Sequence, residues 1–223
     1  MELIKIEKLS FGYLKNVEVL KNISMSVKEK EFLCIIGENG SGKSTLVKCI
    51  LGLNKVAKGK IEAKEKMGYL PQITEIQNHF PATVEEIVLS GTIGNNMSKI
   101  WYTKQDKENA KRNMEKLNIY EMKKKCFSEL SGGQKQRVLI ARALCATDKI
   151  ILLDEPVNGL DPKIAIETYE LLHKLNEEQG ITIVMVSHDI ERSINYCTRI
   201  IKMENGKICF DGIPSEYRIG GAQ

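Results

Sequence analysis

The sequence predicts an α/β fold: a mainly parallel sheet flanked by helices, an antiparallel β subdomain at the N-terminal end, and a helical insertion. Three observations predict it. Short apolar runs, FLCII (32–36), IILL (150–153) and ITIVMV (181–186), have the length and composition of strands buried on both faces, and helical patterns separate them. The first segments alternate apolar with polar residues instead, as half-buried antiparallel strands do. Between Ile73 and Leu130 the texture turns charged and helical, with no internal repeat or low-complexity stretch.

The chain opens on LIKIEKLSFGY and VLKNISMSVKEKE, two alternating segments that read as a strand pair. FLCIIGENGSGKSTLVKCILGL then runs buried strand, glycine loop, helix, the context that gives the spacing G-x-x-x-x-G-K-[ST] its meaning as a P-loop, the phosphate cradle of an NTPase core. The candidate nucleotide-binding residues are Gly37, Asn39, Gly40, Ser41, Gly42, Lys43, Ser44 and Thr45. Glycines let backbone N–H groups turn inward around phosphates where side chains would block the approach. Lys43 brings a positive charge to the β and γ phosphates, and Ser44 offers a hydroxyl to Mg²⁺.

MGYL reads as a further strand that ends near Gln72. In the insertion, Thr83 and Glu86 stand at capping-box spacing at the head of TVEEIVLSG, which closes at Gly91, and a charged helix is expected from about Thr103 to Leu117. ELSGGQKQR follows. Ser131, Gly132, Gly133 and Gln134 open an apolar-periodic run through Leu144, so they form a glycine-rich helix N-terminus suited to an anion. Ser131 and Gln134 also have the spacing to cap their own helix. The question is what a second anion-binding turn would face when the chain already has a complete one.

KIILLDEP delivers Asp154 at the C-terminal end of an apolar strand, where open α/β sheets bind their ligands. Glu155 follows at once. On an extended chain neighbouring side chains point to opposite sides, so if the chain stays extended there the two acids divide: Asp154 to the metal, Glu155 to polarise the attacking water. Gln72 and His188 sit where other strands should end at the same edge, and with the loop they make a constellation of acids, amide and imidazole around a γ-phosphate. His79 and His173 fall outside it and are expected to be structural. Asn205-Gly206, between two strand-like segments, signals a hairpin.

The 223 residues suit one core with a small appended subdomain. A net charge of +4 from interspersed basic and acidic side chains is too mild to indicate a nucleic-acid partner. Six scattered cysteines without a C-x-x-C pair read as reduced, mostly buried small hydrophobes. The N-terminal residues lack a leader's apolar block and no apolar run has bilayer-spanning length, so the expected location is cytoplasmic, with docking as the route to any membrane role.

GENGSGKS, the glutamine of YLPQ, LSGGQ, ILLDEP, GLD and the histidine of SHD together resemble ATP-binding cassette (ABC) transporter ATPases, in order and approximate spacing, over essentially the whole chain. LSGGQ discriminates, because other P-loop ATPases and kinases share the first loop alone. The resemblance implies an ATP- and Mg²⁺-dependent ATPase that pairs head to tail with a second copy of itself, each ATP lying between the first loop of one chain and LSGGQ of the other. Ser131 and Gly133 would then face the partner's nucleotide, which answers the question of the second turn. It further implies that Tyr13 stacks on adenine, that Asp161 communicates across the dimer, that His188 contacts the γ-phosphate, and that Gln72 senses the metal and touches the membrane partner through the loop after it. Implied partners are integral membrane permease subunits and, indirectly, a solute-binding protein, with the chain peripheral on the inner face of the cell membrane. A helical subdomain over 73–130, carried on a core of 1–72 and 131–223, is the expected organisation, with the signature turn at its end.

GYLPQITEIQNHFPATVEEIVLSGTIG is similar to the same region in ATPases of zinc and manganese importers. Phe80, Val84, Ile87 and Val88 have the spacing of an apolar face on a short helix, which either receives a permease helix or packs the insertion itself. The alternatives are a soluble ABC ATPase of the iron–sulfur assembly type and an importer of iron chelate or cobalamin.

Overall fold

The computed structural model describes residues 1–14, 17–56, 58–72, 81–93 and 101–220. Two sheets organise them. Strands β1 (Glu2–Phe11), β2 (Leu20–Lys28) and β4 (Lys58–Ala63) form an antiparallel sheet in the order β2-β1-β4. The second sheet has the order β5-β6-β7-β3-β8-β9, built from β3 (Phe32–Ile36), β5 (Met67–Leu70), β6 (Ile150–Asp154), β7 (Thr182–Ser187), β8 (Arg199–Glu204) and β9 (Lys207–Gly212). Its first five strands are parallel, and β9 returns antiparallel to β8. Asn205 and Gly206 make that turn with φ of 49° and 79°, the pair of left-handed conformations a tight primed turn demands.

The unbroken apolar runs have a direct cause. Alternate residues of β3 enter two different cores: Phe32, Cys34 and Ile36 pack toward helices α4 (Gly132–Ala146) and α5 (Pro162–Gln179), while Leu33 and Ile35 pack toward the antiparallel sheet and α1 (Lys43–Ile50). β6 and β7 divide in the same way, with Leu153 and Met185 on the first side and Leu152 and Val184 on the second. With both faces covered, no polar alternation survives. Each buried Phe, Leu or Ile contributes roughly 1.5–3 kcal/mol, so the strand ends that carry the polar residues are rigid platforms.

The antiparallel layer is tied on by Arg199, which forks onto Asp211 (2.6 and 2.7 Å), and donates to the Ser26 carbonyl (2.9 Å) and to Glu31 (3.2 Å). Helices α2 (Val84–Ser90) and α3 (Lys104–Lys116), with 3₁₀ turns at Tyr120–Met122 and Phe127–Glu129, pack on α4. Both helices open with a reciprocal cap, Thr83 with Glu86 and Thr103 with Asp106. Short helices α6 (Ile190–Ser193) and α7 (Pro214–Gly220) follow β7 and β9. Of the cysteines, all free thiols, Cys34, Cys49, Cys145 and Cys197 are buried, Cys126 is half-buried and Cys209 is exposed. Among the described residues no helix is long and apolar enough to cross a membrane.

Candidate functional site

β3 stops at Ile36 and α1 starts at Lys43, leaving the glycine loop between them. Gly37 and Gly42 have φ of 146° and 104° and are also fixed by close packing. A Cβ on Gly37 would stand 2.3 Å from the Met203 carbonyl oxygen, and one on Gly42 2.9 Å from Leu20 Cδ2. Gly40, at φ 82°, faces open space, as an approach route for phosphate requires. Lys43 Nζ curls back to donate to the Gly37 and Glu38 carbonyls, both at 2.8 Å. Burial pushes its pKa down and the nearby Glu155 and Asp154 carboxylates oppose that shift.

Asp154, the last residue of β6, is buried and accepts from Ser44 Oγ at 3.0 Å. Burial raises its carboxyl pKa against the Ser44 hydrogen bond and the positive fields of Lys48 and Lys43. Glu155 departs from the extended chain assumed in the sequence reading: its φ is 54°, in the left-handed region, and its amide donates to the Val186 carbonyl at 3.1 Å. The two acids are divided all the same, by a turn instead of by strand alternation. Asp154 stays behind the loop against Ser44, while Glu155 Oε2 meets His188 Nδ1. That meeting is possible because β7, which delivers His188, lies beside β6 in the sheet.

Asn39, Gly40, Gly42, Lys43, Ser44, Thr45, Gln72 and Glu155 line one cleft of about 220 Å³ together with Val19, whereas Gly37, Ser41, Asp154 and His188 are not part of its lining. A larger open depression of about 980 Å³ lies over the antiparallel sheet. Several of its charged lining residues are committed to internal pairs, Arg199 with Asp211 and Lys5 with Glu7, so volume alone does not mark the site. Tyr13 stands exposed beside the cleft loop, its Oη 3.4 Å from Thr45 Oγ1 and 3.4 Å from Asn54 Nδ2, with the Phe11 ring edge-on at 5.1 Å. Asn54 and Val19 carry no spacing signal and were not legible as neighbours of the site.

Ser131 caps α4 reciprocally with Gln134: its amide donates to Gln134 Oε1 at 3.0 Å and its Oγ accepts from the Gln134 amide at 3.4 Å. The self-capping alternative is therefore realised. A Cβ on Gly133 would lie 2.7 Å from Ile164 Cγ2, and one on Gly132 3.2 Å from Leu160 Cδ2, so the glycines also let α4 start close against α5. Asp161 caps α5, accepting from the Lys163 amide at 2.9 Å. None of Ser131 to Gln134, nor Asp161, lines the cleft of its own chain. His173 sits in α5 edge-on to Tyr196, its Nδ1 buried without a partner among the described residues, and His79 lies outside those residues.

A second, more apolar groove of about 430 Å³ opens beside Pro71, between α2 and α4, and is lined by Ala82, Ile87, Phe127 and Leu139 with Glu86, Ser90 and Arg142. It corrects the expected apolar face. Val84 and Val88 are completely buried in the core, Ile87 is the one of the three described residues that lines the groove, and Phe80 lies outside the described residues. The cause is the clamp on the start of α2: the Val84 amide donates to the Lys125 carbonyl and the Phe127 amide to the Ala82 carbonyl, which turns the Val84–Val88 side inward.

The model of the ABC transporter family matches residues 20–158. The chain is 38% identical over 94% of its length, and 84% of the relative's, to a Thermotoga maritima protein described as a probable metal transport system ATP-binding protein. It is 36% identical to the zinc uptake system ATP-binding protein ZurA of Listeria innocua, covering 97% of this chain and 88% of that one. It is also 36% identical to the phosphonates import ATP-binding protein PhnC of Staphylococcus aureus, covering 97% and 91%. Among solved structures, cbiO1 from Clostridium perfringens, part of the ABC transporter complex cbiONQ, superposes with a TM-score of 0.86 at 30% identity over 99% of this chain and 92% of that one. A dimeric ATP-binding cassette in a post-hydrolysis state with ADP and Pi gives 0.78 at 30% identity over 95% and 98%.

Proposed function

The chain belongs to the ABC transporter family and hydrolyses ATP, and from that premise we propose that it powers an importer of a divalent transition metal, zinc or manganese. The observation that carries the mechanism is the convergence of Lys43, Ser44, Gln72 and Glu155 on one cleft, with Asp154 behind it and His188 against Glu155. Lys43, already pinned over the loop, binds the β and γ phosphates, and backbone amides of the loop hold the rest of the chain of phosphates. Tyr13 stacks on the base. Glu155 takes the proton of the attacking water as the new P–O bond forms and the bond to the ADP oxygen breaks. His188 holds Glu155 in place and faces the γ-phosphate.

Mg²⁺ fits the donor set. Ser44 Oγ and Asp154 Oδ1 are oxygen donors 3.0 Å apart and Gln72 shares their cleft, the hard, sparse protein ligation that Mg²⁺ takes beside phosphates. When bound, the ion neutralises phosphate charge. Among the described residues no cluster of three or more His, Cys, Asp or Glu forms a separate metal centre.

Because Ser131, Gly132, Gly133, Gln134 and Asp161 lie off the cleft of their own chain, they complete the site of a second copy in an ATP-dependent head-to-tail homodimer. The helix start at Ser131 then meets the open side of the γ-phosphate. The groove beside Pro71 receives a helix of the permease, so that residues 73–130 act as a helical subdomain on a core of 1–72 and 131–223. The chain works peripherally on the cytoplasmic face of the membrane, with a solute-binding protein as an indirect partner.

The cargo rests on the metal-transport and zinc-uptake relatives together with the insertion's resemblance to zinc and manganese importers. Deleting the gene and measuring cellular zinc and manganese under limitation tests it. A fall in either supports the reading. Unchanged metals with a loss of phosphonate, iron-chelate or cobalamin uptake would overturn the cargo and leave the ATPase assignment standing.

A further inference from the structure

Tyr169 of α5 is wholly buried, and its ring stacks on Tyr196 at 5.3 Å with 8° between the planes. A buried phenol requires a hydrogen-bond partner. Its Oη lies 3.3 Å from Ser187 Oγ, on the last residue of β7. Ser187 Oγ in turn accepts from the Asp189 amide at 3.1 Å and donates to the Asp189 carbonyl at 3.5 Å. The two residues that bracket His188 are thus joined through one hydroxyl, and that hydroxyl is the one Tyr169 touches.

His188 needs such support. Its side chain is 51% exposed, against 9% for Glu155, so little packing holds the ring and its backbone must. The Glu155 amide hangs on the Val186 carbonyl, one residue before Ser187, so carboxylate and imidazole are both referenced to the end of β7. With Ser187 donating to the Asp189 carbonyl, Tyr169 donates to Ser187 and every hydroxyl proton has an acceptor. A phenol is a donor at neutral pH, and burial raises the pKa of Tyr169 further.

We infer that Tyr169 is a positioning residue for hydrolysis, fixing through Ser187 the turn that holds the His188 ring against Glu155. The inference rests on the assignment of Glu155 and His188 to the reaction. Tyr169→Phe keeps the ring and the stack and removes one hydroxyl. Well below its thermal midpoint it should lower kcat for ATP about fivefold, with KM within about twofold, the scale of one lost hydrogen bond. Ser187→Ala should do the same, and Tyr169→Phe combined with Ser187→Ala should be no slower than the slower single variant, as for two ends of one interaction. A Tyr169→Phe enzyme with wild-type kcat, or losses that multiply in the double variant, would overturn the role. Should Tyr169→Phe be too unstable to assay, Ser187→Ala carries the same expectation and the same refutation. His188→Ala separates the two readings: a wild-type rate there overturns the assignment of His188 itself, whereas an inactive His188→Ala beside a fully active Tyr169→Phe overturns the positioning role alone.

Discussion

Ser44 Oγ donates to Asp154 Oδ1 at 3.0 Å, joining the helix after the phosphate loop to the end of β6 across 110 positions of sequence. The bond offsets part of what burial costs this carboxylate, but burial still prevails and its pKa is raised above the ordinary 3.8. A carboxyl raised in the folded state binds more protons there than in the unfolded chain, so stability falls as pH climbs above the unfolded value, and the cost is complete above the folded one. Asp154→Asn should therefore raise the thermal midpoint of the nucleotide-free protein in EDTA at pH 7. The gain should fade as pH falls toward 3.8. Mg²⁺-dependent hydrolysis should be lost. A lower midpoint for the variant would sink the claim that the site stores this cost.

Glu155 combines a left-handed backbone with a carboxylate aimed at His188. A non-glycine residue in that conformation costs roughly 1–2 kcal/mol, which is the kind of expense a reacting group can justify. Glu155→Gln keeps the shape and removes the base. It should still bind ATP and accumulate the closed homodimer in size-exclusion chromatography, while phosphate release drops by a factor of at least about 10². Hydrolysis at the wild-type rate would refute the base assignment.

Beyond the buried strands and the polar residues at their ends, what the sequence makes legible is local. The P-loop, the caps at Thr83–Glu86 and Ser131–Gln134, and the Asn205-Gly206 turn each depend on residues within a few positions of one another, and each forms as its spacing predicts. β4 was not legible, because KGKIEA is largely exposed and has no apolar run to announce it. The parting of the Asp154 and Glu155 side chains has no strand alternation behind it, since Glu155 has a φ of 54° and its amide bonds to β7. The misread face of α2 has a similar origin. A seven-residue helix has apolar residues on two sides, and the contact with Lys125 decides which side goes in. The Tyr169–Ser187 link is a tertiary contact with no sequence signature at all.

Completion of the site by a second chain should appear as complementation. Lys43→Ala removes the phosphate clamp, and Ser131→Arg fills the closing turn with bulk while also deleting a helix cap worth about 1 kcal/mol. Each variant alone should be nearly inactive. Mixed, they should form an ATP-dependent heterodimer with one intact composite site and partial recovery of phosphate release. Failure to form that heterodimer in ATP would refute the shared site.

The groove beside Pro71 yields the last prediction. Ser90 lines it and is half-buried, with its Oγ bonded back to the Ile87 carbonyl at 2.6 Å, so its side chain supports no neighbouring element. Ser90→Trp places bulk over Ile87 and Leu139 without entering the core that holds Val84 and Val88. A surface change of this kind costs little folding stability, and the nucleotide cleft has no lining residue from α2. ATP hydrolysis by the chain alone should thus stay within about twofold of wild type, while cargo uptake by the assembled transporter falls at least about tenfold, because a docked helix has lost the pocket for its anchor. Unimpaired uptake would show that the groove is not where the permease engages. A parallel loss of both activities would instead place the defect in the fold of the helical segment, and a thermal midpoint measured on the same variant distinguishes that outcome from lost coupling.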